Sequence, residues 1–259
     1  MGKSILVVDD EAAVTFSLEG FFQQKGYEVL KAFYGDQAIE QIRKNRPSLV
    51  ILDLQMPKVN GIAVLEMIRS DYPDTKTLVI TGYSEQYEEE LQRLKPERVW
   101  TKPVSLTELT AAVESLLEGT KPPASPSAGA AAAARDPDRT VRVLFVEGSQ
   151  EAYDQALKPY FESPERSMRC ETSLARDPDA AFRMIEETKP QLVVLDSSRM
   201  PVGVVGGRLA ARLTGAPGAP LEVILTEIPS KDFQEEGILQ ARLERLEGAI
   251  QKTVRKHRL

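Results

Sequence analysis

Five residues carry groups suited to chemistry at a phosphorus atom, and they lie far apart in the chain: Asp9, Asp10, Asp53, Thr81 and Lys102. Four of them end or directly follow short apolar runs, namely ILVVD (5–9), LVILD (49–53) and TLVIT (77–81), and Lys102 follows the weaker run ERVWT (97–101). Three carboxylates brought together repel one another and raise one another's pKa. A hard divalent cation removes that cost, and an oxygen-only set without histidine suits Mg²⁺, which is held by one or two carboxylates plus phosphate oxygens and water. An aspartate beside such an ion can attack phosphorus and form an aspartyl phosphate. An ammonium and a hydroxyl are then the groups that neutralise and orient the phosphoryl oxygens. Singly, each residue has a duller reading: a helix cap, a strand threonine, a solvated lysine. Only the five together specify this chemistry.

The elements that must position them are legible in the pattern. The three runs rich in β-branched residues read as strands buried on both faces of a parallel sheet, and YEVLKA and ERVWT read as weaker strands nearer its edges. Between them lie helical stretches, among them AAVTFSLEGFFQQKG, closed by Gly26, and GIAVLEMIRSDYP, stopped by Pro73. Strict alternation of five strands with five helices predicts a doubly wound α/β domain over residues 1–120. In such sheets ligands gather at the carboxyl ends of the strands, which is where the five residues fall.

Residues 121–139, KPPASPSAGAAAAARDPDR, hold no large apolar side chain and read as a linker. The remaining stretch, 140–259, repeats the first layout: VRVLFVEG answers SILVVDD, KPQLVVLD answers RPSLVILD, and LEVILTE answers KTLVITG. The matched positions drift slowly apart, from 138 residues (Asp9 to Glu147) through 143 (Asp53 to Asp196) to 145 (Thr81 to Thr226), as duplication with small loop insertions predicts.

The first half closely resembles the response-regulator receiver domain of two-component signalling. The resemblance is carried by Asp9-Asp10, by Asp53 before MPKVNG, by Thr81 and by Lys102-Pro103, and it covers 1–120. It implies two flavodoxin-like (βα)5 parallel-sheet domains of five strands each, the second degenerate. It also implies Asp53 as phosphoacceptor, Mg²⁺ on Asp9, Asp10, Asp53 and the backbone carbonyl of Gln55, and Thr81 and Lys102 on the phosphoryl oxygens. Pro103 then follows a cis peptide bond. The expected donor is a sensor histidine kinase or a phosphotransfer protein. One departure concerns the switch. The family's aromatic residue three places before the lysine is here Val99, with Trp100 beside it and Tyr83 two places after Thr81. Tyr83 or Trp100 is expected to take over part of the readout, and a bulky Tyr83 to shield the acyl phosphate and prolong its life.

In the second half the same places are emptied. Glu147-Gly148 stands for the acidic pair, Asp196 is kept within a longer loop, Thr226 is kept, and Glu247 lies near the place of the missing Lys-Pro. Asp196 is expected as a residual turn residue in a pseudo-receiver. Leu239, Leu243, Leu246, Ile250 and Val254 form a helical stripe that covers its own sheet or pairs with a partner or second copy.

Composition narrows the function further. One cysteine, Cys170, forbids an internal disulfide and fits a cytosolic setting; one histidine, His257, argues against a His-rich metal site or a Ser-His-Asp triad. Residues 1–120 hold 13 basic and 19 acidic side chains and the rest 20 of each, so neither half suits nucleic acid. No apolar run approaches the ~20 residues of a membrane span. The expectation is a non-enzymatic switch that signals by protein contacts, without a DNA-binding or enzymatic output domain. A phosphorelay intermediate or phosphate sink is the alternative, and a DNA-binding regulator using the basic tail QKTVRKHRL a remote one. A haloacid-dehalogenase-type phosphatase is disfavoured, because its nucleophile follows the first strand in an Asp-x-Asp pattern.

Overall fold

The computed structural model describes residues 3–57, 59–82, 84–118, 140–146, 149–164, 166, 168–196, 222–226 and 236–257. Lys58, Tyr83, Glu147, Gly148, the linker and the loop after Asp196 lie outside the described residues. Each half carries its own sheet and its own core.

In the first half, β1 (Ser4–Val8), β2 (Glu28–Ala32), β3 (Leu49–Leu52), β4 (Lys76–Thr81) and β5 (Arg98–Thr101) form one parallel sheet in the order β2–β1–β3–β4–β5. The helices are α1 (Ala12–Gln24), α2 (Gly35–Asn45), α3 (Gly61–Asp71), α4 (Glu88–Leu94) and α5 (Leu106–Glu118). This is the doubly wound arrangement that the alternation predicts. Right-handed crossovers send α1 to one face, because β1 to β2 steps one way along the sheet, and α2, α3 and α4 to the other. The period of two in the strands matches this division. Leu6, Val8, Val50, Leu52 and Val79 pack with Ile42, Leu65, Ile68 and Leu91 of the second face. The alternate residues Ile5, Val7, Ile51 and Leu78 are buried as well. A buried aliphatic side chain of this kind contributes about 1.5–3 kcal/mol.

Helix ends follow local chemistry. Gly26 takes φ +88° just past α1, and Asn60 caps α3 by accepting the Ala63 N–H at 3.0 Å. Arg69 closes another end: its guanidinium donates to the Leu94 and Lys95 carbonyls at the last turn of α4 and pairs with Glu97 at 2.8 Å.

In the second half, β6 (Thr140–Val146), β7 (Arg169–Ala175), β8 (Leu192–Asp196) and β9 (Glu222–Thr226) pair in parallel in the order β9–β8–β6–β7. Among the described residues of this half these are four of the five strands expected, and residues 236–257 form a helix. After β6 comes α6, built of an α segment (Gln150–Ala152), a π turn (Tyr153–Leu157) and a second α segment (Lys158–Phe161). Pro159 removes an N–H and crowds the carbonyl four residues back, and the widened turn, with the Lys158 N–H on the Tyr153 carbonyl, accommodates it. Next are α7 (Pro178–Thr188) and α8 (Glu236–His257). Leu243, Leu246 and Ile250 of α8 are buried with Val141, Phe145 and Ile224, and Val254 packs against them. The stripe therefore covers its own sheet; the side chain of Leu239 lies outside the described residues.

The internal repeat has a backbone signature. Arg46 and Lys189, which precede the matching prolines of RPSLVILD and KPQLVVLD, both take φ 47° at the end of a helix. Val8 stands beside Ala32 and Leu52 just as Val146 stands beside Ala175 and Leu195. The fourth strand differs from expectation. Leu52 stands beside Val79, and Leu195 beside Leu225. Thr226 is thus the register counterpart of Ile80 and not of Thr81. Two similar apolar runs can be aligned one residue apart from sequence, whereas backbone pairing allows one register.

Candidate functional site

Asp9, Asp53, Thr81 and Lys102 come together at the carboxyl ends of β1, β3, β4 and β5, although 93 residues separate Asp9 from Lys102. Backbone bonds hold the acids in place. The Asp9 N–H donates to the Ala32 carbonyl at 3.2 Å, and the Asp53 N–H to the Val8 carbonyl at 2.9 Å. The Lys102 N–H donates to the carbonyl of Thr81 at 2.9 Å, and the Lys102–Pro103 peptide is cis, as the resemblance implies. Gly61 permits the turn after Asp53: a Cβ there would meet the Asp53 carbonyl oxygen at 2.3 Å and Leu54 Cα at 2.6 Å. The glycine of MPKVNG is therefore required by close approach.

The side chains form one charged cluster. Lys102 Nζ donates to Asp53 Oδ2 at 2.9 Å and to Asp9 Oδ2 at 3.0 Å. Asp9 Oδ1 accepts the Glu11 N–H at 3.0 Å, and Asp53 Oδ1 accepts the Gln55 N–H at 3.1 Å. Asp9 and Asp53 are 4% and 6% exposed, Thr81 is fully buried, and Asp10 is exposed. Two further residues belong here that the motif reading missed. Thr15, buried in α1, donates its hydroxyl to the Asp9 carbonyl at 2.9 Å. Glu11 places Oε1 3.8 Å from Lys102 Nζ. A helical threonine with a buried hydroxyl needs a partner, and its position one turn after Asp-Asp was the available signal; no such signal existed for Glu11.

Asp9, Asp10 and Asp53 offer oxygens that all lie within 4.8 Å of one another. These three carboxylates and the ammonium leave two negative charges, and Glu11 adds a third, so a divalent cation is drawn to the site. An all-oxygen donor set with that charge fits Mg²⁺. Asp9 is pushed up from 3.8 to about 7 by burial; the Lys102 charge opposes the rise and the Asp53 charge adds to it. An acid raised in this way adds stability that is complete below its unfolded value of 3.8 and is lost as pH rises through about 7. A divalent cation must displace that proton. Mg²⁺ affinity is therefore expected to fall about tenfold for each pH unit below ~7 and to level off above it. Calorimetric titration across that range checks this, and a flat profile overturns the burial account.

Of the modulating positions, Val99 is 38% exposed and Trp100 half-buried on β5, and Gln55 is exposed beside Asp53. Tyr83 lies outside the described residues. In the second half, Asp196 is the last residue of β8 and fully buried, not a surface turn residue. Glu247, expected near the place of Lys102, sits in α8, where its Oε2 accepts from the Tyr160 hydroxyl at 2.9 Å and from Arg166 at 3.2 Å.

The family described as "Response regulator receiver domain" matches residues 5–114. Sporulation initiation phosphotransferase F of Bacillus subtilis is 30% identical over 118 residues, 45% of this chain and 95% of that protein. The alkaline phosphatase synthesis transcriptional regulatory protein PhoP of the same organism is 33% identical over 118 residues, 45% of this chain and 49% of that one. Response regulator MprA of Mycobacterium bovis is 36% identical over 124 residues, 47% and 54% of the two chains. The chain thus spans about half the length of these last two relatives. Among solved structures, response regulator TrrA from Thermotoga maritima in complex with Mg²⁺–BeF is 34% identical, with a TM-score of 0.41 over 44% of this chain and 98% of that one.

Proposed function

Because the chain belongs, through residues 5–114, to the response regulator receiver family, we infer that it is a phosphorylation switch in which Asp53 accepts a phosphoryl group from a histidine kinase or phosphotransfer protein. The observation that carries this reading is the Lys102 ammonium held between Asp53 and Asp9 at the carboxyl ends of the sheet. A carboxylate oxygen of Asp53 bonds to phosphorus as the donor's bond to phosphorus breaks. Asp53 Oδ1 accepts the Gln55 N–H and Oδ2 the Lys102 ammonium, and each oxygen keeps a lone pair for phosphorus. Lys102 then moves from carboxylate to phosphoryl oxygen, and the Thr81 hydroxyl orients that group. Mg²⁺ would be held by Asp9, Asp10, Asp53 and the carbonyl of Gln55, and would supply charge neutralisation for the phosphoryl oxygens.

The chain then promotes only its own phosphorylation and dephosphorylation, in the cytoplasm, and its output runs through protein–protein contacts. Those contacts include pairing with a second copy through either half. The second half supplies a surface rather than a second phosphoacceptor. A phosphorelay intermediate is the second reading, favoured by the likeness of the first half to almost the whole of a protein named a phosphotransferase.

Acetyl phosphate with Mg²⁺, followed by mass mapping, tests the assignment. Labelling is expected on the peptide that holds Asp53 and on no other. Labelling at Asp196 overturns the reading of the second half, and no labelling overturns the switch itself. Onward transfer of the group to a histidine phosphotransfer domain selects the relay.

A further inference from the structure

Lys102 has three ammonium protons and three carboxylates around it. Two, on Asp53 and Asp9, are at hydrogen-bond distance; the third, on Glu11, is at 3.8 Å. Glu11 occupies the N-cap position of α1, where Ser, Thr, Asp and Asn are the usual acceptors, and its longer side chain makes no capping hydrogen bond. Its backbone is engaged elsewhere: the N–H binds Asp9 Oδ1 and the carbonyl accepts from the Thr15 N–H at 3.1 Å. The main chain thus fixes where Glu11 stands, and the carboxylate reaches toward the ammonium. That carboxylate is about one-third exposed, whereas those of Asp9 and Asp53 are buried, so it stands on the solvent side of the cluster.

Resting on the phosphoacceptor reading above, we propose that Glu11 is a positioning residue for Lys102: it draws the ammonium toward the mouth of the site and sets a negative charge against incoming phosphodonors. The donor is a phosphate anion, so a carboxylate near its path opposes binding. The ammonium must leave Asp53 Oδ2 to follow the phosphoryl oxygens, and the pull of Glu11 acts against that move. Glu11 therefore restrains phosphorylation until the donor's own interactions outweigh it.

The test is the rate of Asp53 labelling by acetyl phosphate in the full chain with saturating Mg²⁺, for wild type, Glu11→Gln and Glu11→Asp. Glu11→Gln keeps the shape and removes the charge. It is expected to lower the acetyl phosphate concentration for half-maximal rate about three- to tenfold, with a much smaller change in the maximal rate. The difference should shrink at about 1 M salt, where the screening length is about 3 Å. Glu11→Asp keeps the charge and should restore most of the wild-type value. An unchanged half-maximal concentration in Glu11→Gln overturns the proposal, as do equal effects of Gln and Asp, which would mark a purely structural role at the start of α1. If wild type itself is not labelled at Asp53, the underlying reading fails, and this one with it; labelled wild type with an indifferent Glu11→Gln fails this one alone.

Discussion

Asp53→Asn will bring labelling by acetyl phosphate to background while leaving the fold at least as stable as before. The first half of that result follows from chemistry: an amide oxygen is too weak a nucleophile to attack phosphorus under these conditions. The second follows from the crowding of the site. Asp53 and Asp9 share one ammonium, and the Asp53 charge is among the causes that hold the Asp9 acid up near 7. Removing that charge relieves repulsion between two buried carboxylates. The asparagine keeps an oxygen to accept from Lys102. Thermal unfolding without metal should place the variant within about 1 kcal/mol of wild type, on the stable side. The Asp9 titration should move below its wild-type position, so that the pH dependence of Mg²⁺ binding shifts to lower pH. Residual labelling of the variant would mean that another acid accepts phosphoryl groups. A loss of stability beyond about 1 kcal/mol would mean that Asp53 is held for structure.

Lys102→Ala acts in the opposite sense on stability. It removes the one cation, among the described residues, that Asp9 and Asp53 share. The cluster then holds three carboxylates and no compensating charge, and the chain without metal should lose about 1–3 kcal/mol, less than for a wholly buried pair because Lys102 is 20% exposed. Mg²⁺ should bind more tightly than to wild type, because the site has gained one net negative charge. Labelling should nevertheless fall about 10²–10³-fold, the usual cost of deleting a group that stabilises developing charge in a transition state. Tighter metal binding with slower chemistry separates this outcome from simple unfolding, which would weaken both. Equal or weaker Mg²⁺ binding in the variant would show that the ammonium organises the carboxylates rather than neutralising them.

Much of this site was legible in the sequence because each of its main residues ends an apolar strand, and strand ends in a parallel sheet converge on one side. ILVVD, LVILD and TLVIT became β1, β3 and β4 with their polar residues where the pattern put them. Gly26 and Pro73 stopped helices within a residue or two of the expected places. What escaped depended on packing between distant segments. The carboxylate of Glu11 meets Lys102 only because the first and fifth strands end on the same side of the sheet, and nothing in DDEAAV announces it. The hydroxyl of Thr15 looked like one more helical threonine until its burial and its carbonyl partner were seen. The register of the fourth strand in the second half escaped for a related reason: VILT and LVIT are interchangeable as apolar runs, and only pairing with β8 distinguishes them.

That register has a consequence for attempts to rebuild chemistry in the second half. Side chains along a strand alternate between faces, so a shift of one residue relative to a neighbour exchanges the face on which each one lies. Beside Asp196, Thr226 occupies the level that an isoleucine occupies beside Asp53. Installing a lysine and a second acid would supply the missing functional groups but leave the hydroxyl on the wrong level. Moving the hydroxyl one residue up the strand calls for one residue more between Asp196 and Thr226, or for a threonine at the position that follows Thr226. The two halves thus differ in register as well as in composition, and a chain given the missing lysine and acid alone would hold the right groups in the wrong geometry.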